Sequence, residues 1–139
     1  MLSMGIDVSK KDLVIKSYDG NNFSKEVKIN NNNKTLRRYL KNNQNVDKIT
    51  VESTGTYHLK AAYIAKECGF KVSVVDPYKV KQYAKYTANR AKTDKIDAAI
   101  IAKYGYETET KEYEISNKER TKLKTLLVAS EGYKSKNRN

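Results

Sequence analysis

The sequence has 139 residues, which is the size of one domain with at most a short appendage. Charged residues make up 32% and hydrophobic residues 38%, and 28 Lys and Arg against 16 Asp and Glu give a net charge of +12. This excess of positive charge favours a polyanionic partner. No apolar run approaches the ~18 residues of a membrane span, and the N-terminus does not resemble a secretory signal, so we expect a cytoplasmic protein without membrane contact.

The single cysteine and the single histidine limit the metal chemistry. Cys68 cannot form an internal disulfide, and one Cys with one His does not make a zinc finger or a Cys/His cluster. Any metal would therefore be held by carboxylates and water, which suits Mg²⁺ or Mn²⁺. We expect His58 to lie on the surface of a helix rather than to act as a base.

Hydrophobic patterns predict alternating strands and helices. Asp19 to Asn22 is a hairpin turn signal, and Gly69 ends a helical pattern in which Tyr57 and Ala61 share the apolar face. We predict strands at residues 3–8, 13–18, 23–29, 48–53 and 70–75. We predict helices at residues 35–42 and 57–68, from Pro77 onward, and at 93–104.

The order of these elements predicts the fold class. A three-strand meander followed by alternating helices and strands gives an α/β protein, with a mixed sheet and helices packed on its faces. This is the ribonuclease H-like arrangement, although other mixed α/β folds share its early part.

Charge changes along the chain suggest a boundary. Residues 78–103 carry seven basic and two acidic groups, residues 104–116 carry one and four, and residues 117–139 again carry seven and two. We predict a domain over residues 3–105, followed by a linker and the start of a helical segment over residues 106–139. Leu123, Leu126 and Leu127 form a short apolar stripe that either pairs with a second chain or folds back onto its own domain.

Four carboxylates occur where strands or helices begin or end. Asp7 lies in an apolar strand and Glu52 ends another, where a charge is costly unless it is paired, binds a metal or faces solvent at the strand end. Asp94 and Asp97 are three residues apart, on one face of a predicted helix start. An ordinary capping role is open for this pair, with Asp94 as N-cap and Asp97 at the third helical position. Together the four acids predict a site for one or two divalent cations, of the kind that acts on phosphodiesters.

Basic and hydroxyl residues near these acids suggest a phosphate-binding surface. Thr54 follows the predicted strand 48–53, where a phosphate could approach the next helix, although a capping role for Thr54 is equally open. The lysines and the arginine could instead be an ordinary solvated helix face. The predicted nucleic-acid-binding residues are Lys10, Thr54, Lys79, Lys81, Lys85, Arg90, Lys92 and Lys95.

Four motifs together resemble a known family. They are Gly5-Ile6-Asp7-Val8-Ser9-Lys10, Glu52-Ser53-Thr54-Gly55-Thr56-Tyr57, Val75-Asp76-Pro77 and Ala91-Lys92-Thr93-Asp94-Lys95-Ile96-Asp97-Ala98. In order and spacing, over about residues 4–105, they resemble the N-terminal domain of the DEDD-type insertion-sequence transposases, the family that includes the Piv-like recombinases.

The resemblance implies a RuvC-like domain of a site-specific DNA recombinase, with Asp7, Glu52, Asp94 and Asp97 as the catalytic metal ligands. It further implies DNA as partner, a structured guide RNA in some members, and a homo-oligomer formed through the C-terminal helical segment. One departure is Asp76-Pro77, where relatives commonly have Asn-Pro.

Relatives also continue into a coiled-coil segment and a further domain with a nucleophilic serine, whereas this sequence ends at Asn139. We therefore expect that the chain alone does not complete recombination. Two alternatives stay open, a nucleic-acid-binding module without catalysis and a stand-alone junction nuclease of the RuvC type.

Overall fold

A computed structural model describes residues 1–53, 55–87 and 96–125 of the chain. The strands within them are β1 (Ser3–Val8), β2 (Asp12–Tyr18), β3 (Val27–Asn30), β4 (Lys48–Glu52) and β5 (Lys71–Val75). They form a five-stranded sheet in the order β3-β2-β1-β4-β5. The helices that pack on this sheet are α1 (Asn33–Lys41), α2 (His58–Glu67), α3 (Pro77–Thr87) and α4 (Ala98–Glu107), and a further helical stretch covers residues 117–125. None of the helices in these ranges is long and apolar enough to cross a membrane.

The predicted mixed sheet is confirmed. The pairs β1–β2 and β2–β3 are antiparallel, whereas β1–β4 and β4–β5 are parallel. Parallel neighbours place the C-terminal ends of β1, β4 and β5 along one edge of the sheet. That edge is called the carboxylate edge below, because β1 brings Asp7 and β4 brings Glu52 to it.

The third strand is shorter than predicted, because a bulge interrupts it. Phe23 forms an isolated bridge with Tyr18, and the regular ladder resumes only at the pair of Ile15 with Val27, shifted by one residue. Between them the hydroxyl oxygen of Ser24 accepts a hydrogen bond from the Ser17 backbone N–H at 2.8 Å. A side chain thus takes the place of a backbone partner, and the strand begins at Val27 instead of Phe23.

The two faces of the sheet differ in chemistry. One face is apolar and packs against α1 and α2, with Ile6, Val51 and Val72 among its fully buried residues. The other face lies under α4 and is polar: the Ser3 hydroxyl donates to the Ala102 carbonyl at 2.8 Å, and the Lys48 ammonium donates to the Gly105 carbonyl at 2.9 Å.

Helix α4 approaches β1 and β4 closely because two glycines leave room. A Cβ on Gly5 would collide with the backbone of Ala98 and Ala102, and a Cβ on Gly105 would collide with the Thr50 side chain. Since Ala98 lies over Gly5 while Gly105 lies near Ser3, α4 runs antiparallel to β1. The N-terminus of α4 therefore points toward the carboxylate edge.

The segment after α4 follows the outer side of β5. The Tyr113 backbone N–H donates to the Val72 carbonyl at 2.7 Å, and the hydroxyls of Ser73 and Thr110 are 2.7 Å apart. Residues 117–125 are helical, and Leu123 is only 7% exposed and belongs to the main core. Two outcomes were considered for the leucine stripe, pairing with a second chain and folding back. Leu123 folds back and packs on its own domain.

Leu126 and Leu127 lie outside the described residues. The division of the chain into residues 3–105 and 106–139 stays a prediction.

Candidate active site

Asp7 and Glu52 lie side by side at the ends of adjacent strands. The last paired residues of β1 and β4 are Ile6 and Val51, and the two acids follow them directly. Because side chains alternate along a strand, Asp7 shares the α4 face with Gly5, and Glu52 shares it with Thr50. The parallel pairing therefore brings together two carboxylates that are 45 positions apart in the sequence.

The Glu52 carboxyl is in an environment that disfavours its charge. The residue is only 6% exposed, and burial is the main cause that raises the pKa of Glu52. The negative charge of Asp7 raises it further, whereas the Lys81 ammonium on α3 acts in the opposite direction. A divalent cation between the two carboxylates would remove this penalty, because it neutralises the like charges that now repel.

Asp97 lies at the N-terminus of α4, the end that faces the carboxylate edge. Its backbone is extended, with φ of −115° and ψ of 175°, and its carboxylate accepts a hydrogen bond from the Ile100 N–H at 2.9 Å. Asp97 is therefore the N-cap and α4 begins at Ala98, so the predicted placing of Asp97 inside the helix is wrong. The reason is that the capping carboxylate can reach the free N–H groups of the first turn only from an extended residue. Thr93, the predicted start of this helix, lies outside the described residues.

The complete four-carboxylate site stays a prediction. Among residues 1–53, 55–87 and 96–125, no three His, Cys, Asp or Glu side chains form a group that could hold a metal ion. Asp94 lies outside these residues. The carboxylate oxygens of Asp7 and Glu52 are suitable ligands for Mg²⁺ or Mn²⁺, because these ions prefer hard oxygen ligands.

The predicted phosphate-binding residues are described only in part. Lys79, Lys81 and Lys85 are exposed on α3, and Lys10 is exposed in the turn between β1 and β2. The remaining predicted members, Thr54, Arg90, Lys92 and Lys95, lie outside the described residues. Their role in binding nucleic acid stays a prediction.

Asp76, the additional acid near the site, has a local role. Its carboxylate accepts a hydrogen bond from the Tyr78 backbone N–H at 2.9 Å, at the N-terminus of α3. This acid thus stabilises the beginning of the helix that carries Lys79, Lys81 and Lys85.

The first turn of α2 differs from the prediction. His58 is 7% exposed and therefore buried, whereas Tyr57, which was placed on the apolar face, is 46% exposed. The sequence contained the signal: His58 precedes the buried Ala61, Ala62 and Ala65 by three, four and seven residues, which is the spacing of one helix face. The burial of the His58 imidazole could thus be predicted from the helical period.

Comparisons with known proteins agree with this geometry. A family model described as a transposase, that of the DEDD transposases of the IS110 group, matches residues 4–136. The pilin gene-inverting proteins of Moraxella bovis and Moraxella lacunata are 37% and 36% identical to the chain over 86 residues. That match takes in 62% of this chain and 27% of each relative, so the chain spans about a quarter of their length.

Two solved structures of Thermus thermophilus RuvC have the same fold. The first, in complex with a Holliday junction substrate, has a TM-score of 0.57 at 15% identity, over 81% of this chain and 99% of the other. The second has a TM-score of 0.53 at 16% identity, over 73% of this chain and 91% of the other. The predicted ribonuclease H-like, RuvC-like fold is thereby confirmed.

Proposed function

Because the chain belongs to the DEDD family of insertion-sequence transposases and has a RuvC-like fold, we propose that it is a metal-dependent catalytic domain for DNA recombination. Its substrate is a DNA phosphodiester, and its cofactor is Mg²⁺ or Mn²⁺. The observation that carries this proposal is the position of Asp7 beside a buried Glu52, each directly after the last paired residues of two adjacent parallel strands.

Each residue has a role in this proposal. Asp7 and Glu52 hold the cation from the sheet, and Asp94 and Asp97 complete its ligands from the N-terminal side of α4. A cation held by these residues would supply the charge that activates an attacking oxygen and stabilises a leaving oxygen in phosphodiester chemistry. Lys81, whose charge reaches Glu52, and its neighbours Lys79 and Lys85 hold the phosphates of the substrate strand.

The wider proposal concerns partners. We propose that the protein acts in the cytoplasm on DNA, with a structured guide RNA, and as a homo-oligomer through its C-terminal helical segment. Complete strand exchange requires in addition the nucleophilic serine that the resemblance places in a further domain.

Two other functions have specific support. The fold match to a RuvC that is bound to a Holliday junction favours a stand-alone junction nuclease. The hydrogen bond from Ile100 to Asp97 favours a module without catalysis, because it gives this acid a structural role that needs no metal. Cleavage and metal binding separate the three functions.

The decisive experiment compares Asp7→Asn and Glu52→Gln with the unmodified chain. Mn²⁺ binding is measured by calorimetry, and cleavage is measured on linear element ends and on four-way junctions. We expect both variants to lose Mn²⁺ binding and cleavage but to keep their affinity for DNA in EDTA. Glu26→Gln is the control, because Glu26 is an exposed carboxylate in the β2–β3 hairpin and should behave as the unmodified chain.

Full Mn²⁺ binding by both variants would overturn the proposal in favour of a non-catalytic module. Cleavage confined to four-way junctions would support the stand-alone nuclease.

A further inference from the structure

Helix α3 presents an unusual solvent face. Its residues include three lysines and no acidic side chain, and its buried face consists of Val80 and Ala84. Its exposed face has a tyrosine toward each end and polar side chains between them, and these residues are Tyr78, Lys79, Lys81, Gln82, Lys85 and Tyr86.

The tyrosines of this helix fall into two groups. The Tyr83 ring packs edge-on against Tyr104 at 5.2 Å, and its hydroxyl donates to the Glu107 carboxylate. Tyr78 and Tyr86, in contrast, are 66% and 91% exposed, the two most exposed large apolar side chains of the described residues. Packing within the domain accounts for Tyr83 but does not account for these two rings.

The position of the helix connects this face with the carboxylate edge. Helix α3 begins two residues after the end of β5, and the Lys81 charge reaches Glu52. Tyr78 and Tyr86 are eight residues apart, which is about 12 Å along the helix axis. A strand whose phosphates contact the lysines of α3 would thus bring its bases to both rings.

We propose that Tyr78 and Tyr86 stack on unpaired bases of the nucleic acid whose phosphates Lys79, Lys81 and Lys85 hold. The substrate strand at this site is therefore single-stranded or locally unpaired, not a continuous duplex. This inference rests on the proposed function, since it names the substrate class of the same site.

The chemistry of the face favours this occupant. Lysines bind phosphates of any nucleic acid, but a duplex hides the faces of its bases, so exposed tyrosine rings gain little from it. An unpaired strand offers both phosphates and free base faces, and stacking on aromatic side chains is a common means of binding it. The three lysines of α3, a helix whose own residues include no acidic side chain, also complement a polyanion.

The test measures binding in EDTA, so that no cleavage occurs. Fluorescence anisotropy compares a single-stranded oligonucleotide with a duplex of the same sequence, using the chain and its Tyr78→Ala, Tyr86→Ala, Tyr78→Phe and Tyr86→Phe variants. We expect each alanine variant to weaken single-strand binding about five- to one-hundredfold, while duplex binding changes by less than about twofold. The phenylalanine variants should bind as the unmodified chain, because they keep the ring.

Three results would overturn the inference. In the first, the alanine variants bind the single strand normally. In the second, the phenylalanine variants lose as much affinity as the alanine variants, which would assign the phenol hydroxyls to phosphates. In the third, Phe23→Ala, which removes a 42% exposed aromatic side chain from the β2–β3 hairpin, causes the same loss.

The experiments distinguish a failure of this inference from a failure of the proposed function. Stacking is measured as affinity without metal, whereas the proposed function is measured as Mn²⁺ binding and cleavage by the Asp7 and Glu52 variants. Circular dichroism melting of every tyrosine variant shows whether it is folded, and folding is expected because both rings lie at the surface.

Discussion

The carboxylate of Asp97 and the backbone N–H of Ile100 form a hydrogen bond of 2.9 Å that begins helix α4. One acid thus has a structural role and a proposed role in metal binding. The two roles require different properties of the side chain, because a cap needs only an acceptor oxygen, whereas a cation needs a negative charge.

Substitution at position 97 separates these roles. Asp97→Asn keeps the acceptor, so we expect its free energy of unfolding to stay within about 0.5 kcal/mol of the unmodified chain while Mn²⁺ binding is lost. Asp97→Ala should lose Mn²⁺ binding and also about 1 kcal/mol of stability. Chemical denaturation and calorimetry measure the two properties. Normal Mn²⁺ affinity in Asp97→Asn would limit this residue to capping.

Glu52→Gln should stabilise the metal-free protein at neutral pH. The pKa of Glu52 is raised above its ordinary value of 4.5, so the folded state disfavours the ionised form. The stability linked to this group is fully present below the ordinary pKa and is lost as the pH rises through the raised one. We expect a gain of about 1 kcal/mol for Glu52→Gln at pH 7 in EDTA.

The difference between Glu52→Gln and the unmodified chain should shrink on acidification. As the pH falls through the raised pKa, Glu52 takes up a proton in the folded protein and becomes as neutral as glutamine. Melting curves of both proteins over a pH series measure this convergence. A difference that widens toward acid pH would contradict the assigned direction of the shift.

Gly5→Ala should separate α4 from β1. The added Cβ meets backbone atoms of Ala98 and Ala102, which cannot move out of the way as a side chain can. We expect a loss of about 3 kcal/mol in the free energy of unfolding, at the upper end for overpacked sites. The double variant Gly5→Ala, Ala102→Gly should not recover, because the colliding atoms belong to the backbone. Recovery in the double variant would show that a side chain causes the collision.

Leu123→Ala tests whether the C-terminal segment belongs to the core. Leu123 is 7% exposed within the main cluster, so its truncation should cost about 2–4 kcal/mol, as measured by urea denaturation. Lys122→Ala, which changes an exposed neighbour, is the matched control and should cost less than about 0.5 kcal/mol. Equal stability of both variants would mean that Leu123 does not pack on the domain in solution.

The fold was predictable because its signals are local. Alternating and continuous apolar runs gave β1, β2, β4 and β5 to within one residue, and the Asp19–Asn22 turn fixed the hairpin. The start of α4 was less predictable, since several residues near position 97 can cap a helix and only the backbone conformation decides between them. The burial of His58, by comparison, was predictable, because the three buried alanines of α2 follow His58 at the spacing of one helix face.

The candidate site was predictable in its residue types but not in its geometry. Asp7 and Glu52 stand out in the sequence as acids at the ends of apolar strands. Their proximity depends on the parallel pairing of β1 with β4, a contact between distant segments that no local pattern encodes. The burial of Leu123 is similar, because it follows from the path of the segment after α4, which contacts β5 at Thr110 and Tyr113 before its helical residues reach the main core.

The buried Lys48 ammonium, finally, helps to hold α4 in its position along its own axis. It donates to the Gly105 and Thr108 carbonyls at the C-terminal end of the helix, although burial and the nearby Lys71 charge lower the pKa of Lys48. A slip of one helical turn, about 5.4 Å, would break these bonds. Asp97 lies at the other end of α4, about 15 Å away along the helix axis. The hydrogen bonds of Lys48 therefore contribute to the position of the Asp97 carboxylate relative to the sheet. Substitutions at Lys48 would consequently act on the carboxylate edge from a distance, through sliding of a rigid helix instead of through contact.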